Sequence, residues 1–236
     1  MNGLLVRVGA DQSKAGGYWN SPVNSLSREF IYVAIPESCP IHPGLDKPYA
    51  HLDPLLAKID VSLPEHLRYR RMHLDPDFAR LTYGDQGQRA KQLQDNLNPG
   101  DLIVFYAGLA GTFSKARLVY AIIGFYVVED FILAASVTSP ERDINAHSRR
   151  MLDADAQDLI VRACPVSSGR LERCIPIGEY RDRAYRVRKD LLIEWGGLSV
   201  NNGYLQRSAR LPRLLDTEQF LIWWKKQNPT LLHVNN

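Results

Sequence analysis

Residues 68–85, RYRRMHLDPDFARLTYGD, carry the densest chemistry in the chain. Arg68, Arg70 and Arg71 precede His73, and Asp75, Asp77 and Asp85 follow within a few residues. Guanidinium groups bind phosphate, and an imidazole beside carboxylates can move protons, so phosphate-binding and titratable groups fall together here. One or more of His73, Asp75, Asp77 and Asp85 is a candidate for acid–base work, and Tyr83 in the Tyr83-Gly84-Asp85 turn is a candidate wall for a flat ligand. A purely structural account competes with this one. Asp75-Pro76-Asp77 also reads as a helix start, with Asp75 as N-cap and Pro76 at the first helical position, and Asp85 can cap a helix over 86–96.

Residues 9–22, GADQSKAGGYWNSP, form a second candidate stretch. Its Gly, Asp, Ser and Asn make a loop, yet it holds Tyr18 and Trp19, and large aromatics prefer burial. The glycines can let the backbone approach a planar ligand, with Tyr18 or Trp19 stacking on it, Asn20 reading its edge and Asp11 supplying charge. Equally, Trp19 can plug one end of the fold while Asp11 satisfies turn amides. The spacing does not fit a phosphate-binding P-loop. Asn145-Ala146-His147 with Arg149 and Arg150 can place an imidazole and two guanidinium groups on one short element. Downstream, Arg181, Arg183, Arg186 and Arg207 are interleaved with Tyr180, Tyr185, Trp195 and Tyr204, the mixture a nucleic-acid surface uses to neutralise phosphates and stack bases. Glu172, Glu179, Asp182 and Asp190 can instead pair with those arginines as an ordinary solvated face.

These residues need a scaffold. Two apolar segments, 102–109 and 118–128, read as core strands, the first introduced by a Pro99-Gly100 turn. Residues 4–8 and 30–35 read as further strands, Pro36 stopping the latter; 53–59 reads as a short helix and 158–161 as the start of a strand. Thr217 is placed to cap a C-terminal amphipathic helix, within about 214–228, that buries Phe220, Leu221 and Trp224. At 236 residues with 45% hydrophobic and 23% charged content, the chain is expected to form one elaborated α+β domain over 1–236. Its centre is expected to be a mixed sheet or a β-barrel, surrounded by helices and long loops; Gly100-Asp101, the buried strand after it and the glycine-bearing strand ending at Glu129-Asp130 resemble the core of PUA-like barrels.

Three cysteines without metal spacing point to a reducing cytoplasm and away from disulfides or structural zinc. His42, His51 and His66 are scattered, with no helical ligand spacing. No metal or cofactor motif appears, no stretch reads as a signal peptide, and no apolar run reaches the about 18–20 residues of a membrane helix. A net charge of +3 permits nucleic acid as a partner only through local focusing.

Taken together, residues 7–36, 72–85, 100–109, 119–128, 145–147 and 170–208 resemble the nucleotide-modification-associated domain family, third class, of bacteria and phages. The resemblance implies a DNA partner of phage or plasmid origin, with a hypermodified base as ligand. Two activities fit it. One is an enzyme that flips the base into a pocket between the 11–20 loop and the 72–85 segment and hydrolyses its glycosidic bond, as a DNA glycosylase in phage defence or DNA modification. There Asp11, Asp77 or Asp85 would activate water, and His73 or His147 would protonate the leaving base. Tyr18, Trp19, Asn20 and Tyr83 would hold the base; Arg7, Arg71, Arg149, Arg150, Arg181, Arg183, Arg186 and Arg207 would hold phosphates. The other is a non-catalytic reader, like EVE or YTH domains, that works with a partner effector protein.

Overall fold

The computed structural model describes residues 1–112, 117–206 and 209–236. In chain order the elements are β1 (Gly3–Arg7), β2 (Pro22–Val23), β3 (Ile35–Pro36), α1 (Asp53–Ala57), β4 (Met72–His73), β5 (Thr82–Asp85), α2 (Gly87–Asn96), β6 (Leu102–Gly111), β7 (Leu118–Leu133), α3 (Ala146–Arg149), β8 (Leu159–Ala163), β9 (Gly169–Pro176), β10 (Gly178–Arg181), β11 (Ala184–Val187), α4 (Lys189–Glu194), α5 (Thr217–Gln227) and β12 (Leu231–Leu232).

The antiparallel pair β6 and β7 is the spine of a mixed, eight-stranded sheet. On one side β1 runs parallel to β6. On the other, the long β7 pairs first with β9 and then with β8, which in turn pairs with β5. The strand order β1-β6-β7-β8-β5 leaves β1 and β5 at opposite ends, so the sheet is open and the barrel form of the expectation is not adopted.

The continuous apolar run of β6 follows from burial on both faces. Ile103, Phe105 and Ala107 pack into one core with Leu4, Val6, Ile123 and Tyr126, while Leu102, Val104 and Tyr106 pack into a second with Leu5, Ile122 and Phe125. Helices α4 and α5 cover the second face with Trp195, Phe220, Trp223 and Trp224, and Trp224 stacks on Phe125 at 4.5 Å. Each such side chain contributes about 1.5–3 kcal/mol on burial. The first face is covered by α2 and by the segments 30–34 and 74–83, and it is this face that carries the chemistry. Among the described residues no helix is long and apolar enough to cross a membrane.

Three local expectations change. Phe30–Ile35 is buried and extended, but it joins a ladder only at its ends. Its middle is hydrogen-bonded elsewhere: Val33 to Ser21 and Ala10, and Tyr32 to the side chain of Asn236, which both accepts from its N–H and donates to its carbonyl. No helix follows Asp75-Pro76; the chain crosses as a loop from β4 to β5. The cap of α5 is Asp216, whose side chain accepts from Gln219 N–H at 3.0 Å, one residue before the expected Thr217.

Candidate functional site

A pocket of about 390 Å³ opens on the first face of the sheet. Its lining comes from segments far apart in sequence: Arg7, Val8 and Gly9 at the end of β1, His73 of β4, Asp75, the Tyr83-Gly84-Asp85 end of β5, Gln86 and Arg89 entering α2, and His147 and Arg150 around α3.

At its floor the two imidazoles meet edge to face, ring centroids 4.9 Å apart. Nδ1 of His73 lies 2.6 Å from Glu37 Oε2, and Nδ1 of His147 lies 2.5 Å from Asp158 Oδ1. A carboxylate only accepts, so each Nδ1 carries the proton and donates it. In the neutral form of each ring the lone pair then lies on Nε2, to which no side chain among the described residues donates. Glu37 is held in place by the N–H groups of Ser38 and Cys39 and by Arg150, which also stands 3.2 Å from His73 Nδ1. Burial opposes the charge of Glu37, but the His73 and Arg150 contacts outweigh it and hold the carboxyl far below its ordinary range. The His147 hydrogen bond likewise lowers Asp158. Burial pulls His73 below the ordinary imidazole value, so it is neutral at pH 7.

Asp75 stands beside the two rings. Its Oδ1 accepts from Gly84 N–H and from Asn145 Nδ2, both at 2.8 Å. Asn145 is fully buried and does three jobs: its Oδ1 caps α3 by accepting from His147 N–H, its Nδ2 fixes Asp75, and the same Nδ2 reaches Thr82. Burial pushes the Asp75 carboxyl up to about 7, the charge of His147 and the two hydrogen bonds offsetting only part of the desolvation. The donor atoms of His73, Asp75 and His147 lie within 4.8 Å of one another, close enough to consider a shared cation. On the opposite wall Tyr83 donates to Asp85 at 2.5 Å, and Arg89 bonds both, at 2.7 Å to Asp85 and 2.9 Å to the Tyr83 oxygen.

The structure therefore brings His73, His147, Asp85, Tyr83, Arg7 and Arg150 into one site and places the other candidates elsewhere. Asp77 lies outside the pocket lining, in a buried ion pair with Arg149 at 2.5 Å and a hydrogen bond from Asn235. Asp11 organises its own loop: Ser13 donates to it through both N–H and Oγ, and Arg7 lies 3.5 Å away. Trp19 and Asn20 line a separate cavity of about 630 Å³ with Gln12, Arg117 and Leu118, so the 11–20 loop and the 72–85 segment do not share one pocket. Tyr18 is exposed. Arg71 pairs with Asp46; Arg181 and Arg186 are drawn to Glu179, Asp182 and backbone carbonyls. Arg183 sits exposed at the turn joining β10 to β11, where it and Asp182 both have positive φ, as a tight hairpin requires. Arg207 lies outside the described residues.

Glu37, Arg89, Asn145 and Asp158 complete the site beside the candidate Asp75, and sequence alone assigns none of these four to it. Asn145 and Asp158 lie in the charged stretch 139–163, and for Asp75 the Asp-Pro-Asp pattern offers a helix cap as the competing role.

No curated protein and no solved structure matches the chain. A family model does, over residues 2–208, and the chain belongs to the family it describes, nucleotide modification associated domain 3.

Proposed function

We propose that the chain acts on a modified base of DNA, turned out of the stack into the His73/Asp75/His147 pocket, and hydrolyses a bond of that nucleotide there. The observation that carries this reading is the convergence of two carboxylate-braced imidazoles and one perturbed carboxyl on a single cavity. Perturbed titratable groups facing one cavity are the usual mark of a reacting site. The size fits a base, since pockets for small ligands begin at about 300 Å³. Chemistry on a base requires removing it from the stack, and a pocket of this kind receives it.

What the cluster supplies is water activation. The imidazoles of His73 and His147 and the Asp75 carboxyl bound one small volume, where a bound water meets groups able to take its proton. Arg89 and Arg150 are held rigid by carboxylates on either side and are suited to hydrogen-bond the base edge or its appended group. If the bond is glycosidic, the water oxygen joins the sugar carbon as the carbon–nitrogen bond breaks, and the base departs with a proton drawn from the site.

A second reading, recognition without cleavage, has its own support. The cavity beside Trp19 and Asn20 offers an aromatic face and an amide, and among its described lining residues there is no histidine. Purified protein incubated with hypermodified and with unmodified phage DNA separates the two. Released modified base with matching alkali-labile sites is expected for the enzyme; selective binding of intact modified DNA favours the reader and overturns hydrolysis.

A further inference from the structure

We infer that His73, Asp75 and His147 bind one divalent first-row transition-metal ion, with its remaining coordination positions open to the pocket. The inference deepens the reading above, because those open positions face the volume assigned to the base. Whether an ion binds can nonetheless be decided without any DNA.

Donor type and distance come first. The three donor atoms lie within 4.8 Å of one another. Metal bonds of about 2.0–2.2 Å place neighbouring donors roughly 3–4 Å apart, so a small inward rotation of these side chains closes the set. Two imidazoles and one carboxylate with vacant positions form the donor set of open, reactive sites for zinc and iron(II). Imidazole donors are poorly suited to magnesium or calcium, which prefer oxygen.

The surrounding shell points the same way. Histidines that hold a metal through Nε2 almost always donate their other N–H to a carboxylate or carbonyl. Here both do, to Glu37 and to Asp158. The ligand carboxylate is oriented as well: Gly84 N–H and Asn145 occupy Oδ1, and Oδ2 has no donor among the described residues. An imidazole pair that served only as packing would not need both rings braced in the same tautomer.

Charge supplies an independent argument. Arg7 is matched by Asp11, Arg89 by Asp85 and Arg150 by Glu37. Asp158 shares Arg150, 3.6 Å away, whereas Asp75 has no ion-paired cation among the described residues. A divalent ion held between the two imidazoles would give Asp75 that partner.

The test uses full-length protein stripped with a chelator and titrated separately with Zn²⁺, Mn²⁺, Co²⁺ and Mg²⁺. Bound metal is counted by mass spectrometry, and the Co²⁺ form is read by visible absorption. The expected result is one Zn²⁺ or Co²⁺ per chain, cobalt bands showing nitrogen and oxygen ligands, and Mg²⁺ bound far more weakly. His147→Ala and Asp75→Asn should each lose at least a hundredfold in affinity, and Glu37→Gln about 10–100-fold, the usual effect of removing an outer partner. Cobalt spectra of the unaltered chain need no variant, so a poorly folding variant does not rescue the inference. Failure to retain any ion, or equal retention by His147→Ala and Asp75→Asn, overturns it. Turnover of modified DNA that persists in excess chelator overturns the metal site while leaving the proposed function standing; one bound ion without turnover does the reverse.

Discussion

The ring of His147 occupies the space that a side chain on Gly84 would need. A Cβ at Gly84 would come within 2.3 Å of His147 Cδ2 and 2.7 Å of Asn145 Oδ1. Both neighbours belong to the site, so β5 and α3 can approach only through a glycine. Gly84→Ala should push His147 off Asp158 and loosen Asn145 from Asp75. We expect a stability loss of about 1–3 kcal/mol from overpacking. Turnover should fall by more than tenfold in protein whose circular dichroism is unchanged, and retained turnover would show that the His147 position is not critical.

Asp75→Asn should make the metal-free protein more stable at neutral pH and above. The folded carboxyl titrates at about 7, against 3.8 unfolded, so the folded state holds the extra proton between those values. Stability from this group therefore falls as pH rises from about 4 to 7, and the deficit persists above 7. Asparagine keeps an acceptor for Gly84 N–H and carries no charge. The midpoint difference between variant and parent, in chelator, should be largest near pH 8 and shrink toward pH 4, with a ceiling on the order of 4 kcal/mol at about 1.4 kcal/mol per tenfold change in proton affinity. Activity should be lost across the same range, the trade-off expected of a strained reacting group.

Glu37 predicts the opposite pH profile. Its carboxyl is depressed in the folded state, so its contribution is full above the unfolded value of 4.5 and is lost as pH falls below it. Glu37→Ala strands the buried Arg150 charge and should cost about 3–5 kcal/mol at pH 7. Glu37→Gln should cost less but still free the His73 tautomer. Unfolding curves at pH 7 and pH 3.5 test this: the gap between parent and Glu37→Gln should narrow at the lower pH.

Asp77 and Arg149 should behave as architecture. Asp77 pairs with Arg149 and takes a hydrogen bond from Asn235, whose Oδ1 also accepts from Phe78 N–H at 2.7 Å. Asp77→Ala should lower the unfolding free energy by about 3–5 kcal/mol. At a temperature where the variant remains folded it should keep most of its turnover; complete loss there would return Asp77 to the chemistry.

How far the chain could be read without its structure depended on the range of the interaction. β6 and β7 were legible because both faces of β6 and much of β7 are buried, giving apolar runs that local punctuation brackets at Pro99-Gly100. α5 was legible to within one residue of its cap. His73, Asp85 and His147 drew notice by residue type. What joins them was not legible: the bracing pairs Glu37 with His73, Arg150 with Glu37, and Asn145 with Asp75 across long stretches of chain. Asp75 resembled a helix cap because an Asp before Pro is a local signal, and the tertiary hydrogen bond to Gly84 overrode it. The 11–20 loop drew attention for its aromatics, yet it faces a different cavity because β1 delivers Arg7–Gly9, rather than Trp19, to the His73 side.

The most direct measurement is the nucleoside composition of hypermodified phage DNA, by mass spectrometry, after incubation with the parent chain and with its His147→Ala variant, each shown to be folded. The account predicts that the modified nucleoside declines with the parent chain, that ordinary nucleosides do not, and that the variant leaves both unchanged. A parent chain that alters no nucleoside, or a folded His147→Ala variant that consumes the modified one at the parental rate, would contradict it.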